Sequence, residues 1–414
     1  MAGAGPDRGP HAGHGPGAHH DRRGEQGERS ERAGRASGYA GSDDRHTVAF
    51  PGEPRRPGTV HQVAGTPPIE ETTLPDPVPA ILASTRAFDP EAHLALLGDK
   101  RFHIAPDGDA FLMYGVHRRF WIAVGAPVGA PHALPGLPAR FCAAARAAGA
   151  QPAFTHLGAG PAARLAGLGM AVHPMGAAAS IVPGTFLLAG SARGSLRRSW
   201  RRVRDLGGVR FRVHGDAGPL LPELRAVSDA WLAGRRETGF SHGVFLPAFL
   251  TGRPVAVLRV HGTVVAFVSL WPTPDRRLGV DLMRHSPAAP PGAMDFLLTE
   301  LILWAREAEL RRVDLGLAPL SDLTGDDALS RLGRLVLRHG ERFHGFAGLR
   351  HFKAKFRPEW SPRFVVAPHR HQLPLVLGRV VLLGRATLTA PGSRRSEPAP
   401  RWPGDRTGFP GGSR

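Results

Sequence analysis

Cysteine is almost absent from this chain of 414 residues: Cys142 is the only one. An internal disulfide and a cysteine metal centre are therefore both excluded, and with them a disulfide-stapled secreted domain. Long apolar runs are missing too. The longest uncharged stretch, Leu165 to Ala192, is broken by Pro174, Pro183 and several glycines, so it reads as strands and turns rather than a membrane span. The N-terminus is rich in Gly, Pro and Arg and has no apolar core of a secretory signal, which leads us to expect a cytoplasmic protein. Lysine is the third scarcity. Of 53 basic residues only Lys100, Lys353 and Lys355 are lysines, and the other 50 are arginines.

What is present is unevenly distributed. Residues 1–75 hold 14 Gly and 9 Pro, little apolar periodicity and a net charge of −1, and are expected to be disordered. Four histidines there, His11, His14, His19 and His20, are either a metal-binding group or part of a solvated polar tail. The remaining chain carries 44 Lys+Arg against 25 Asp+Glu, a net of +19, which calls for a polyanionic partner such as nucleic acid or an anionic membrane. From about Pro391 the chain again turns Pro-, Gly- and Arg-rich and is expected to be loose.

Between the tails, strands are expected at 102–105, 110–116 and 120–124, the first two joined at Asp107-Gly108. A helix at 137–148 ends on Gly149, and a strand at 152–156, a short helix to Gly167 and a strand near 178–182 follow. The theme then repeats. Strands are expected at 209–213, 254–260, 263–271, 278–284 and 312–316, and helices at 219–233, 293–310 and 328–339. Hairpins leading into strand–helix–strand, twice over, predict an α/β or α+β fold of two similar lobes, 76–190 and 191–370. The boundary falls in the basic segment Gly190–Gly208, and a C-terminal helix covers 371–390.

Three groups of residues could carry chemistry. With arginine so dominant, two lysines inside Gly348-Leu-Arg-His-Phe-Lys-Ala-Lys-Phe356 suggest a role for a compact ammonium of tunable pKa. Read as an extended segment, Lys353 and Lys355 share one face while Phe352, Ala354 and Phe356 face the core; a solvated basic face is the alternative. Asp281 and Arg284 flank a strand end before a Gly/Pro loop and a helix start, a place where free backbone N–H groups gather. Glu300 stands out on the apolar helix, or else shares a polar stripe with Glu307. Ser321 follows a third strand end. The segments Arg193–Arg212 and Arg331–Arg363 bring eight and nine basic residues interleaved with Trp200, Phe343, Phe346, Phe352 and Trp360, either a phosphate-tracking surface with stacking groups or ordinary core aromatics. No P-loop, HExxH or GxSxG is found, nor the Gly-rich loop with which an acetyltransferase binds the coenzyme A pyrophosphate.

From about Phe88 to Pro368 these stretches resemble a known family. In order they are Phe102-His-Ile-Ala-Pro-Asp-Gly-Asp-Ala-Phe111, Gly125-Ala-Pro-Val-Gly129, Pro152-Ala-Phe154, Ser228-Asp-Ala-Trp-Leu-Ala233, Gly239-Phe-Ser241, Asp281-Leu-Met-Arg284 and Met294-Asp-Phe-Leu297. Leu315-Gly-Leu-Ala-Pro-Leu-Ser321, His339-Gly-Glu-Arg-Phe343 and the Lys353/Lys355 segment complete the series. The chain resembles the cytosolic C-terminal domain of bacterial phosphatidylglycerol lysyltransferases, the aminoacyl-phosphatidylglycerol synthases. More distantly it is similar to the peptidyltransferases that build peptidoglycan bridges.

The resemblance implies two tandem acetyltransferase-like lobes and an acyltransferase whose donor is aminoacyl-tRNA, with no coenzyme A, no other cofactor and no metal. The acceptor would be a lipid hydroxyl, most readily that of phosphatidylglycerol, reached from the inner face of an anionic membrane. Lys353 would then meet the oxyanion, supported by Lys355 or Arg350. Asp281 or Glu300 would hold the substrate ammonium, Asp281 could serve as base, and Arg284, Ser321 and Ser241 would orient substrate. The segment 373–383 would lie at the interface with Arg379 and Arg385 reaching outward, or dock as a plain helix. The membrane flippase of the family is not expected here, and the Arg-rich Ser195–Arg202 departs from the family's helix start. Transfer to another acceptor, and an inactive module binding tRNA or anionic membrane, are the competing readings.

Overall fold

The computed structural model describes residues 74–319 and 346–385. The expected disorder of 1–75, the histidines of the first tail, the helix at 328–339, Ser321, Phe343 and the last tail lie outside the described residues.

The α/β class is as expected. The first half runs α1 (Pro77–Ser84), a 3-10 turn (Pro90–Leu97), β1 (Arg101–Ile104), β2 (Ala110–His117), β3 (Phe120–Val124), β4 (Val128–Gly129), α2 (Leu137–Ala147), β5 (Gln151–Leu157), α3 (Ala159–Gly167) and β6 (Ala171–Ile181). The second runs α4 (Gly194–Arg204), β7 (Val209–His214), α5 (Leu221–Leu232), α6 (Pro247–Leu250), β8 (Val255–Val260), β9 (Thr263–Pro272), β10 (Arg277–His285), α7 (Ala293–Glu307), β11 (Arg312–Pro319), α8 (Phe346–Ala354), β12 (Glu359–Ala367) and α9 (Leu373–Arg385). Local chemistry sets several joints. His261 and Gly262 both have positive φ, 47° and 85°, as a two-residue turn twisted to match its strands requires, and β8–β9 is a tight hairpin.

The strands form one sheet in the order β1-β2-β3-β5-β12-β6-β11-β10-β9-β8-β7, with β4 beside β2. Each half contains one parallel pair crossed over by a helix: β3 with β5 through α2, and β10 with β11 through α7. The halves then exchange strands. β12, from the end of the chain, inserts between β5 and β6, and β6 pairs on its other side with β11. This exchange brings residues from both halves to the centre of the sheet.

The opening that matters lies between β10 and β11. Their parallel ladder consists of three pairs, Arg277 with Arg312, Leu278 with Val313 and Gly279 with Asp314. Beyond it β10 shifts register against β9 between Val280 and Met283, and β11 shifts against β6 between Asp314 and Gly316. Gly316 has a φ of 77°, a conformation that favours glycine. The two strands part at Gly279, and a notch opens between them.

One local expectation is corrected, at residues 352–356, and a second segment gains a helix. The basic segment Gly190–Gly208 contains α4, whose Leu196 and Val203 are buried while most of its arginines face solvent. The segment around Lys353 and Lys355 is helical up to Ala354 rather than extended. Its Phe352 and Phe356 stand one helical turn apart with ring centroids at 5.7 Å, and Ala354, expected in the core, is exposed.

Candidate active site

Helix α8 ends by delivering Lys353 into the notch. The side chain is 2% exposed, and its Nζ donates to the carbonyl oxygen of Leu317 on β11 at 2.9 Å. A Cβ on Gly316 would sit 3.8 Å from both this Nζ and the carbonyl oxygen of Val280, so the ammonium lies where β10 and β11 have parted. Burial pushes Lys353 down to about 7, against the pull of the Glu91 carboxylate, which raises it.

Glu91 comes from the other end of the chain. The 3-10 turn that carries it begins at Pro90, and Pro90 packs so closely on Gly279 that a Cβ there would overlap the proline ring. The turn is thereby seated at the last rung of the β10–β11 ladder. Burial pushes Glu91 up to about 7, with Asp89 and Asp314 adding to the rise and Arg363 and Lys353 opposing it. Around it, Arg277 bridges Asp89 at 3.1 Å and Asp314 at 3.0 Å, and Arg363 reaches Asp89 at 3.5 Å. Next along the sheet, at the end of β5, His156 has φ 63° and its Nδ1 lies 3.0 Å from the hydroxyl of Thr155. Burial, helped by Arg363 and His242, drives His156 down to about 3.

The other expected residues have structural partners. Asp281 is on β10 with its carboxylate facing a strap, residues 237–246; Oδ1 accepts the Gly243 N–H at 2.9 Å and Oδ2 the Trp271 indole N–H at 3.3 Å. Burial raises its pKa, and those two donors oppose the rise. The strap is anchored again at Phe240, whose N–H donates to Asp99 at 3.0 Å, while Lys100, fully buried, pairs with Asp99 at 2.5 Å and lies 5.6 Å from the Phe240 ring centre. Ser241 is on this strap, 3.5 Å from the Nδ1 of His242. Arg284 is 3% exposed and forks onto Glu237, with Ser228 as a further acceptor at 2.5 Å and the Trp231 ring at 5.0 Å. These partners lie on α5 and the strap, not in the notch.

Glu300 accepts the Trp200 indole N–H at 2.7 Å across the α4–α7 packing, so this carboxylate is committed to a helix contact. Trp200 itself stacks on Phe296 at 6.1 Å. Arg350 lies over Trp360 at 4.4 Å. Lys355 turns away from Lys353: its Nζ meets both oxygens of Asp295, 3.1 Å each, in the first turn of α7. The shared face expected for the two lysines is replaced by two destinations, because the helix ends between them. The sequence reading missed Glu91, His156, Lys100 and Glu237. Only Lys100 had a signal, the scarcity of its own residue type.

Two surfaces flank these groups. Arg198, Arg201, Arg202 and Arg204 of α4 and Arg210 and Arg212 of the edge strand β7 are exposed. On α9, Leu375, Val381 and Leu382 are about half exposed. Arg379 does not reach outward as expected; it contacts the Nδ1 of His117 at 2.7 Å and covers the Phe120 ring. Among the described residues no helix is long and apolar enough to cross a membrane.

Comparison with known proteins identifies what this architecture is similar to. Residues 79–367 match the family model described as phosphatidylglycerol lysyltransferase, C-terminal. A phosphatidylglycerol lysyltransferase of Bacillus subtilis is 30% identical over 332 residues, covering 78% of this chain and 38% of the relative. One from Staphylococcus xylosus is 32% identical, covering 68% of this chain and 34% of the relative. The chain thus spans a little over a third of the length of these curated relatives. Among solved structures, the L-PGS of Bacillus licheniformis superposes with a TM-score of 0.70 at 30% identity, covering 77% of this chain and 99% of that one. The C-terminal domain of a putative lysylphosphatidylglycerol synthetase from Agrobacterium fabrum gives 0.67 at 36% identity, covering 75% and 97%.

Proposed function

Because the chain belongs to the family of phosphatidylglycerol lysyltransferase C-terminal domains, we propose that it is an acyltransferase that moves an amino acid, lysine or alanine, from aminoacyl-tRNA to the hydroxyl of phosphatidylglycerol. The observation that carries this reading is the buried Lys353 ammonium in the notch between β10 and β11. Aminoacyl transfer of this kind is a transesterification. The donor ester is already activated, so the protein's tasks are to align two oxygens on one carbonyl and to stabilise the tetrahedral oxyanion. An ammonium held away from water, with one strand carbonyl as partner, is suited to the second task.

The substrates fit the two flanking surfaces. The arginines of α4 and β7 offer charge for a tRNA backbone. The half-exposed apolar side chains of α9, with Arg385, suit peripheral contact with an anionic bilayer. At the first turn of α7, where an acetyltransferase would receive a pyrophosphate, the buried Asp295 carboxylate is instead paired with the Lys355 ammonium. The division into lobes at 76–190 and 191–370, with transfer in the second, belongs to the same reading.

The test uses the full chain, labelled lysyl- and alanyl-tRNA, and vesicles containing phosphatidylglycerol, followed by lipid extraction and mass analysis. A labelled aminoacyl lipid that forms only when both substrates are present is the expected result. tRNA and vesicle binding without labelled lipid would replace this reading with that of an inactive binding module.

A further inference from the structure

Transfer leaves one task unassigned: the acceptor hydroxyl must lose a proton, and the departing ribose oxygen must gain one. Asp281 is poorly placed for this, since each of its oxygens already accepts a hydrogen bond from the protein. We propose that Glu91 is the catalytic acid–base of the reaction, taking the proton from the acceptor hydroxyl and returning it to the ribose oxygen. This inference rests on the aminoacyl-transfer reading above.

Gly279 and Gly316 mark the two lips of the notch. Against the first packs Pro90, the residue before Glu91, and beside the second lies the Lys353 ammonium. A carboxylate and an ammonium from residues 262 positions apart are so brought to one opening between parted strands. The neighbouring carboxylates are already held, Asp89 by Arg277 and Arg363 and Asp314 by Arg277. Glu91 makes no hydrogen bond to any described residue.

The charges that act on Glu91 are Asp89, just before its own turn, Asp314 on β11, Lys353 on α8 and Arg363 on β12, and Arg277 of β10 joins the cluster by binding both aspartates. Their sum with Glu91 is balanced, three carboxylates against three cations. Burial then holds the Glu91 carboxyl near neutrality, where a group can both accept and return a proton. The steps balance. As the acceptor oxygen bonds to the ester carbon its proton passes to Glu91, and the carbonyl oxygen becomes an oxyanion beside Lys353. When the intermediate collapses, the bond to the ribose oxygen breaks and that oxygen takes the proton from Glu91. No proton is consumed overall.

Steady-state transfer by Glu91→Gln, with lysyl-tRNA and phosphatidylglycerol vesicles, tests the role. Expected is a fall in kcat of about 10²- to 10⁴-fold with the KM for tRNA little changed, and loss of the acidic limb of the pH–rate profile. Formate added to Glu91→Ala is expected to restore turnover at least about tenfold, which a merely structural carboxylate would not allow. Glu91→Gln within about threefold of the wild type, with its acidic limb intact, overturns the inference and leaves the transfer reading standing. A folded Glu91→Ala that formate does not rescue overturns it equally, and this second variant decides the role if Glu91→Gln does not fold. A wild-type chain that labels no lipid overturns the transfer reading instead.

Discussion

Arg284 and Glu237 face each other as a two-pronged ion pair, both nitrogen–oxygen distances 2.7 Å, with the arginine side chain 4% exposed and the glutamate side chain 27%. Glu237 also receives the Phe245 N–H, so the pair fastens the far end of the strap to β10. Arg284 thereby fastens the strap to β10. Arg284→Met should cost about 3 kcal/mol in urea unfolding, because the glutamate is left without its partner. Arg284→Met combined with Glu237→Leu should recover much of that loss. Equal stability of the single and double variants would refute the coupling.

Lys353→Ala should lower kcat by about 10²- to 10³-fold with little effect on tRNA binding, the usual cost of removing one oxyanion donor. The pH dependence follows from its position. The ammonium, held at about 7 by burial, is present below that pH and lost above it, so turnover should fall on the alkaline side of neutrality. Lys353→Arg, which keeps its charge throughout, should abolish that alkaline limb even if its rate is low. A pH–rate series on the three proteins checks both claims. An alkaline limb unchanged in Lys353→Arg would remove the lysine from the chemistry.

His156 makes a separate claim, about stability. Its unfolded value is about 6.5 and its folded value about 3, so between those limits the unfolded chain binds a proton that the folded chain does not. The contribution is complete above pH 6.5. It is lost as the pH falls, by about 1.4 kcal/mol per pH unit. His156→Asn, whose side chain does not titrate and which tolerates the positive φ, should unfold in urea with a flatter dependence on pH between 6 and 4. An unchanged slope would show that other groups dominate acid unfolding.

The sequence reveals local features better than those that depend on the exchange of strands. Asp107-Gly108 and His261-Gly262 place two hairpin turns, and Gly149 stops α2 where expected. Lys353 is conspicuous because lysine is rare. The period is what misleads at residues 352–356: Phe-Lys-Ala-Lys-Phe alternates like a strand, yet Phe352 and Phe356 are equally one helical turn apart. Helix α4 is hidden because only Leu196 and Val203 of its eleven residues are buried. Glu91 is invisible for another reason. Asp314, Lys353 and Arg363, which act on it, come from β11, α8 and β12 in the other half of the chain, and no local pattern records that they meet the turn at Pro90.

The exposed arginines of α4 yield the last expectation. Arg198, Arg201 and Arg202 face solvent, whereas Arg197 donates to the carbonyl oxygens of Leu188 and Gly190 and Arg193 to that of Leu187, so the exposed three can change without removing those bonds. Each arginine that contacts a tRNA phosphate releases counterions, and affinity then falls with salt in proportion to the number of contacts. The variant with all three changed to Gln should bind tRNA more weakly at low salt, and the slope of log affinity against log salt should be shallower by about 2 to 3. Its thermal unfolding should match the wild type, since Leu196 and Val203 still seat the helix. If the slope is the same in both proteins, the tRNA backbone does not run along α4, and the arginines of β7 become the surface to change next.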